Sequence, residues 1–327
     1  MYYTAPVDGP NTPRGVSQDP LEGLRDAMRE VATVVRGKEA VIELAFTACV
    51  AGGHILIEDI PGVGKSTLAR ALSRAIGGSF HRIQFTSDLL PADLIGTNMW
   101  MASMERFEFR KGPVFANIIL ADEVNRAPPR TQSALLEAMS ERQVSMDGTS
   151  MPLPSPFIVV ATQNPLEHHG TYPLPEAQKD RFLIRTSMGY PDEATEIALL
   201  AGGIPKDPDS VNPTVTLEAL HALQQQAAEI YVHPDVAGFA RRFVAATRSH
   251  PSVTVGVSTR GALAWLALAR ADALLKGATL VGPDALQRLA VPALAHRLTL
   301  SDPGAATASN LAEEVVRDLL STVPVPR

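Results

Sequence analysis

The chain has 327 residues, 45% hydrophobic, 20% charged and 5% aromatic, with a formal charge of −6. These values exclude a disordered or fibrous chain and suit about two globular domains of roughly 150 residues each, while the acidic balance speaks against a dedicated nucleic-acid binder, which carries a basic surplus. Cys49 is the single cysteine, so no disulfide can form within the chain; beside Ala48 and Val50 it reads as a small buried hydrophobe in a reducing compartment.

Met1 to Pro20 is rich in Pro, Gly, Asn and Asp and reads as a flexible tail. No basic-then-apolar secretion signal opens it, and no later run reaches the ~18 apolar residues of a membrane span, so the cytoplasm is the expected location. Helical spacing runs through Leu21 to Val35 and Lys38 to Ala51, the second closed by Gly52-Gly53 as a C-terminal cap. The apolar run His54 to Ile57 predicts a buried strand. Further strand signals recur at His81 to Phe85, Asn117 to Ala121, Phe157 to Thr162 and Phe182 to Thr186, with helical segments between them. This alternation predicts an α/β fold, a parallel sheet flanked by helices on both faces.

Two stretches break the rhythm. Leu94 to Val114 is long for a plain connection, and Val144 to Pro156 carries the hairpin signal Asp147-Gly148. After Tyr190-Pro191 helical patterns take over, at Asp192 to Leu200, Leu217 to Tyr231, Pro234 to Ser249, Thr259 to Lys276, Pro283 to Leu294 and Asn310 to Leu320. The expected division is a tail over 1–20, an α/β domain over 21–190 and a smaller all-helical domain over 191–327.

Asp59 to Thr67 reads DIPGVGKST directly after the first strand. Strand, Gly-rich turn and Gly-Lys-Ser in this order form a P-loop, in which Pro61 shapes the turn while the backbone amides of Gly62, Val63 and Gly64 and the start of the next helix, through Thr67, cradle phosphates. Lys65 would reach the β- and γ-phosphates and the Ser66 hydroxyl would hold Mg²⁺. The first glycine of the full pattern is replaced by Asp59, preceded by Glu58. Either Asp59 points away from the phosphates or affinity is weakened.

The run Asn117 to Glu123 is a strand ending in two carboxylates. Alone it reads as a solvated strand end; with a P-loop upstream, Asp122 becomes the second Mg²⁺ ligand and Glu123 the group that polarises the attacking water. Asn164, ending the next strand, could hydrogen-bond the γ-phosphate or that water, though Asn164-Pro165 is equally a turn initiator. Arg260 falls in the first turn of a helix capped by Ser258, where a cation is disfavoured by roughly 0.3–1 kcal/mol unless a triphosphate compensates. Arg181 shows no such misfit, and a surface salt bridge is its plain reading.

The chain resembles the MoxR branch of the AAA+ ATPases. The stretches that carry the resemblance are IEDIPGVGKSTLARAL (Ile57 to Leu72), RIQFTSDLLPADLIG (Arg82 to Gly96), ILADEVNRAPPRTQSALLEAMSERQVSMDG (Ile119 to Gly148), ATQNPLEHHGTYPLPEAQKDRF (Ala161 to Phe182) and GVSTRG (Gly256 to Gly261). It covers nearly everything after Leu21 and implies an AAA+ P-loop domain followed by a helical lid. Lys65 and Ser66 are then similar to the Walker A pair, Asp122 and Glu123 to the Walker B pair, Asn164 to sensor 1, Arg260 to sensor 2 and Arg181 to an arginine finger offered to a neighbouring subunit. Leu94 to Val114 resembles the helix-2 insert and Val144 to Pro156 the pre-sensor hairpin, both usually facing a central pore. Acidic residues before the Pro-Gly turn are familiar in this branch, whereas Thr259 stands where a proline is often found and leaves the helix start less fixed.

The resemblance implies a homo-oligomeric, usually hexameric ring that hydrolyses ATP with Mg²⁺ and remodels a client protein, often with a partner carrying a von Willebrand A domain. The alternatives are the motor subunit of a metal chelatase, whose wording fits 82–96 and 144–148 less well, and a nucleotide-gated scaffold with little turnover. Glu123 speaks against the scaffold, which needs no water-activating carboxylate.

Overall fold

The computed structural model describes residues 17, 19–146, 148–165, 170–201, 203, 206–301 and 308–326. The expected tail, apart from residues 17, 19 and 20, lies outside the described residues, as does Asp147 of the expected hairpin turn.

Asp19 opens the first helix, α1 (Pro20–Val34): its carboxylate accepts the Leu21 amide at 2.9 Å, and Pro20 costs no hydrogen bond in the first turn. Next, α2 (Glu39–Val50) ends with Gly52 at φ +68° and the amides of Gly52 and Gly53 returned to the Cys49 and Ala48 carbonyls. The chain then forms β1 (Ile55–Glu58), α3 (Lys65–Ala75), β2 (Phe80–Gln84), α4 (Pro91–Ile95), β3 (Gly96–Met101), β4 (Arg106–Lys111), β5 (Ile118–Asp122) and α5 (Pro129–Glu141). After these come β6 (Gln143–Met146), β7 (Thr149–Pro152), β8 (Ile158–Gln163), α6 (Glu176–Lys179) and β9 (Ile184–Thr186).

Five of these strands make one parallel sheet in the order β2-β5-β8-β1-β9. Every residue of β5 and β8 is buried, as expected for central strands covered on both faces. Alternate side chains still divide between two cores: Ile118 and Leu120 pack with α1, α2, α3 and the helical region, Ile119 and Ala121 with α4 and α5. Cys49 lies in the first core, where burial pushes its thiol up to about 12. Both stretches that break the strand-helix rhythm are antiparallel ribbons outside the sheet, β3 with β4 and β6 with β7. Trp100 and Phe107 stand exposed on the first, edge to face at 5.2 Å.

The C-terminal region comprises α7 (Glu193–Leu200), α8 (Leu217–Glu229), α9 (Pro234–Ser249), β10 (Val253–Val255), α10 (Thr259–Leu275), α11 (Pro283–Leu294), β11 (Thr299–Leu300) and α12 (Ala308–Thr322). The short β10-β11 ribbon is an addition to the helical reading, since its strands are too brief to show a period of two. Trp265 packs against Phe239 and Phe243 at the centre of the helices and donates its indole N–H to the Leu286 carbonyl at 3.0 Å.

Register brings the carboxyl ends of the strands level: Gln84 opposite Asp122, Ala121 opposite Ala161, and Glu58 opposite Gln163. At the amino ends Ile55 lies opposite Ile184, and the His54 carbonyl accepts the Leu183 amide at 2.8 Å. The sheet therefore has two chemically distinct edges.

Candidate active site

Beyond the carboxyl end of β1 the chain turns through Gly62 at φ +84° and Gly64 at φ +93°, left-handed conformations that glycine enters without strain. A Cβ on Gly62 would stand in open space, and α3 starts at Lys65 with no side-chain cap on its first amides. An exposed glycine turn feeding an uncapped helix start suits a phosphate. The Lys65 ammonium lies over this loop and donates to the carbonyls of Asp59 at 2.6 Å and Ile60 at 3.2 Å.

Of the two alternatives for Asp59, the geometry favours the first. Its buried carboxylate accepts the amides of Met188 and Gly189, both at 2.6 Å, through one oxygen and that of Ile60 at 2.8 Å through the other. It is a structural anchor for the turn after β9.

The carboxylates at the end of β5 are held by residues from three elements. Asp122 Oδ2 accepts the Arg82 guanidinium at 2.6 and 3.1 Å, and Oδ1 accepts the Thr162 hydroxyl at 2.6 Å. The same Thr162 oxygen accepts the Glu123 amide at 2.9 Å. Glu123 adopts φ +57°, a conformation that costs a non-glycine residue free energy and persists only where the surroundings hold it. Gln132 helps to hold it, since its side-chain amide donates to the carbonyls of Val124 and Ala127 in the following turn and to that of Tyr172, whose own amide is bonded to Asn125 of the turn. The Glu123 carboxylate accepts Gln84 Nε2 at 2.8 Å and pairs with Arg126 at 3.1 Å. Asn164 is buried directly beyond β8.

The P-loop, Asp122, Glu123 and Asn164 thus share the carboxyl edge of the sheet. Arg82, Gln84 and Thr162 complete it, and the sequence reading assigned them no role. The available signal was spacing: Arg82 and Gln84 are two apart on β2 and so share one face.

Arg181 and Arg260 do not join this edge. Arg181 precedes β9, at the amino ends of the strands, and donates to the Leu136 carbonyl at 2.6 Å and to the Ser140 hydroxyl, both on α5. Arg260 is exposed in the first turn of α10, where the expected cap is present: the Ser258 hydroxyl accepts the Gly261 amide at 3.0 Å. That turn lies against Arg297, which pairs with Asp180 at 2.7 Å. The two arginines therefore flank one another's elements and not the P-loop.

The residues fit a nucleotide with magnesium. Among the described residues no group of three or more His, Cys, Asp or Glu could hold a metal alone. Ser66 and Asp122 supply hard oxygen donors of the number that Mg²⁺ uses when phosphates provide further ligands. Also among the described residues, no helix is long and apolar enough to cross a membrane.

Residues 54–184 match the family described as ATPase family associated with various cellular activities (AAA), and residues 245–319 match the AAA lid domain. The YeaC protein of Bacillus subtilis is 45% identical over 93% of this chain and 95% of its own length. Chaperone MoxR1 of Mycobacterium tuberculosis is 39% identical over 99% of this chain and 92% of its own. The crystal structure of a provisionally assigned ATPase from Cytophaga hutchinsonii superposes with a TM-score of 0.84 at 35% identity, covering 94% of this chain and 96% of that one. With a P-loop and paired carboxylates on one sheet edge, and with this identity to MoxR1 along nearly the whole of both chains, the chain belongs to the MoxR family of AAA ATPases.

Proposed function

We propose that this chain is a Mg²⁺-dependent ATPase that works as a ring, in the cytoplasm, to remodel or assemble other proteins. The observation that carries the reading is the convergence of the Gly62–Ser66 turn with Asp122 and Glu123 at one sheet edge. Pro61 to Thr67 would hold the phosphates, with Lys65 facing the β- and γ-phosphates and Ser66 and Asp122 sharing Mg²⁺. The ion would supply charge neutralisation of the transferring phosphoryl group. Glu123, restrained by Gln84 and Arg126, would take a proton from the attacking water, and Asn164 would orient that water or the γ-phosphate.

Arg181 and Arg260, remote from the P-loop of their own chain, would complete the site of a neighbouring subunit, which is why a ring is required. The ribbons β3-β4 and β6-β7, with Trp100 and Phe107 exposed, would meet the client. A partner with a von Willebrand A domain belongs to the same proposal, as does the division into a tail over 1–20, a nucleotide-binding domain over 21–190 and a lid over 191–327.

The test is a pair of variants. Glu123→Gln should bind a fluorescent ATP analogue with near-wild-type affinity while phosphate release falls by about 10²–10⁴-fold, because the amide keeps the shape but cannot take the proton. Lys65→Ala should lose binding itself, since the point charge facing the phosphates is gone. Equal hydrolysis by Glu123→Gln and wild type would sink the assignment.

A further inference from the structure

His296 and Arg297 are adjacent, buried and unused by the proposed reaction. They close α11 in a short 3₁₀ turn, Ala295–Arg297. His296 Nε2 donates to the Phe182 carbonyl at 3.0 Å, while burial, Arg297 and other nearby cations push its pKa well below the usual value and keep the ring neutral.

Arg297 grips the same segment more completely. Nε donates to Asp180 Oδ1 at 2.7 Å, Nη2 to the carbonyls of Phe182 at 2.8 Å and Asp180 at 3.4 Å, and Nη1 to the carbonyls of Leu183 at 3.2 Å and Ala293. A guanidinium has five N–H donors in a rigid fork, and these bonds use all of them. Three of the acceptors are backbone carbonyls of Asp180, Phe182 and Leu183, the residues on either side of Arg181.

The other flank of Arg297 is α10. A Cβ on Gly261 would lie 2.8 Å from Arg297 Cδ, so the close approach of the stem to this turn depends on glycine there. Gly261 is the residue after Arg260. One buried side chain thus touches both the segment that carries Arg181 and the turn that carries Arg260.

We propose that Arg297 is a positioning residue, fixing the Asp180–Leu183 segment against the first turn of α10 so that Arg181 and Arg260 reach a neighbouring subunit as one preset pair. This rests on the reading that these arginines act on a neighbour's nucleotide. Lid movement and finger placement are then one motion, because the fork cannot follow α10 without drawing the carbonyls with it. A lysine would keep the charge opposite Asp180 but has three donors and no planar fork, so it would release the carbonyls.

The experiment compares Asp180→Asn and Arg297→Lys in the wild-type and Arg181→Ala backgrounds, with melting temperature and ring assembly checked for each. Asp180 is 24% exposed at its side chain, so its isosteric change carries the test where Arg297→Lys fails to fold. Each variant should bind the fluorescent ATP analogue within about twofold of wild type, because its own P-loop is untouched. Turnover should fall about tenfold in the wild-type background and no further in the Arg181→Ala background. Mixing Asp180→Asn with Lys65→Ala should restore part of the turnover, since the second variant supplies intact arginines to the first variant's intact nucleotide site.

A loss of equal size in both backgrounds, or no rescue on proven co-assembly, means that Arg297 only holds its own subunit together and overturns the proposal. So does wild-type turnover in a folded Asp180→Asn ring. A silent Arg181→Ala overturns the reading of Arg181 and this proposal together, whereas a defective Arg181→Ala with additive Asp180→Asn overturns the proposal alone.

Discussion

The two edges of the sheet use polar groups in opposite ways. At the carboxyl edge the turn through Gly62 is exposed, the first turn of α3 carries no side-chain cap, and the cations beside Asp122 and Glu123, Arg82 and Arg126, are themselves about half exposed. At the amino edge the guanidinium of Arg297 is 3% exposed with every donor engaged inside the chain. A site that binds and releases a ligand keeps its donors accessible, while a site that transmits position spends them internally. Under the proposed function, the first edge would carry the chemistry of one subunit and the second what that subunit offers to the next.

Removal of Arg181 should separate the two edges most sharply. As a finger working on a neighbour it should add little to nucleotide affinity but of the order of 10³-fold to turnover. Arg181→Ala should therefore bind the analogue normally and hydrolyse poorly. Mixed with Lys65→Ala it should regain activity, because a mixed interface pairs an intact finger with an intact P-loop. Turnover per subunit should rise steeply with wild-type concentration as rings form. A flat profile across the assembly range, with an inactive mixture, would make Arg181 a structural cation bound to α5 and leave the amino edge without a role in hydrolysis.

Asp59 tests the other edge. It stands where the full phosphate-loop pattern has glycine, yet its carboxylate holds the Met188 and Gly189 amides. Replacing it with alanine leaves buried N–H groups unpaired and should cost about 2–3 kcal/mol in stability, read as a lowered denaturation midpoint. Nucleotide affinity should change little by comparison. A variant that keeps its stability and binds the analogue much more tightly would show that the carboxylate faces the phosphates after all.

Much of this layout was legible from local sequence. The central strands fall within one or two residues of the apolar runs that predict them, because β5 and β8 are buried on both faces and read as continuous hydrophobic stretches. Ser258 and Gly52 announced a helix start and a helix end through capping chemistry that acts over three or four residues. What stayed hidden depends on pairs distant in the chain. Arg82 and Asp122 are 40 residues apart, and Asp180 and Arg297 are 117 apart. An arginine in a polar stretch has the same local appearance whether it is solvated or locked beneath a helix, so only the fold distinguishes Arg297 from a surface cation. The β10-β11 ribbon was hidden for a different reason, its strands being shorter than the window in which alternation can be recognised.

The smallest expected effect distinguishes the edges by their response to acid. His54 directly precedes β1 at the amino edge, where it is buried; its Nε2 donates to the Met139 carbonyl at 3.2 Å and its Nδ1 accepts the Val159 amide at 3.0 Å. Burial, with the Arg142 charge, lowers its pKa from 6.5 to about 4, and His296 on the same edge is shifted in the same direction. Because the folded value is depressed, the unfolded chain binds more protons between these limits, so the contribution to stability is complete above about pH 6.5 and is lost as pH falls toward 4. From pH 7.5 to 5, His54 alone should remove about 2 kcal/mol. Denaturant unfolding across that range should show the loss, and His54→Gln, though less stable at pH 7.5, should have a flatter acid limb. Amide exchange should first accelerate at Val159, Leu183 and Ile184, whose amides are bonded to His54, before it does so along α3. An acid limb that His54→Gln leaves unchanged, or exchange that rises equally at both edges, would place the proton-sensitive group elsewhere.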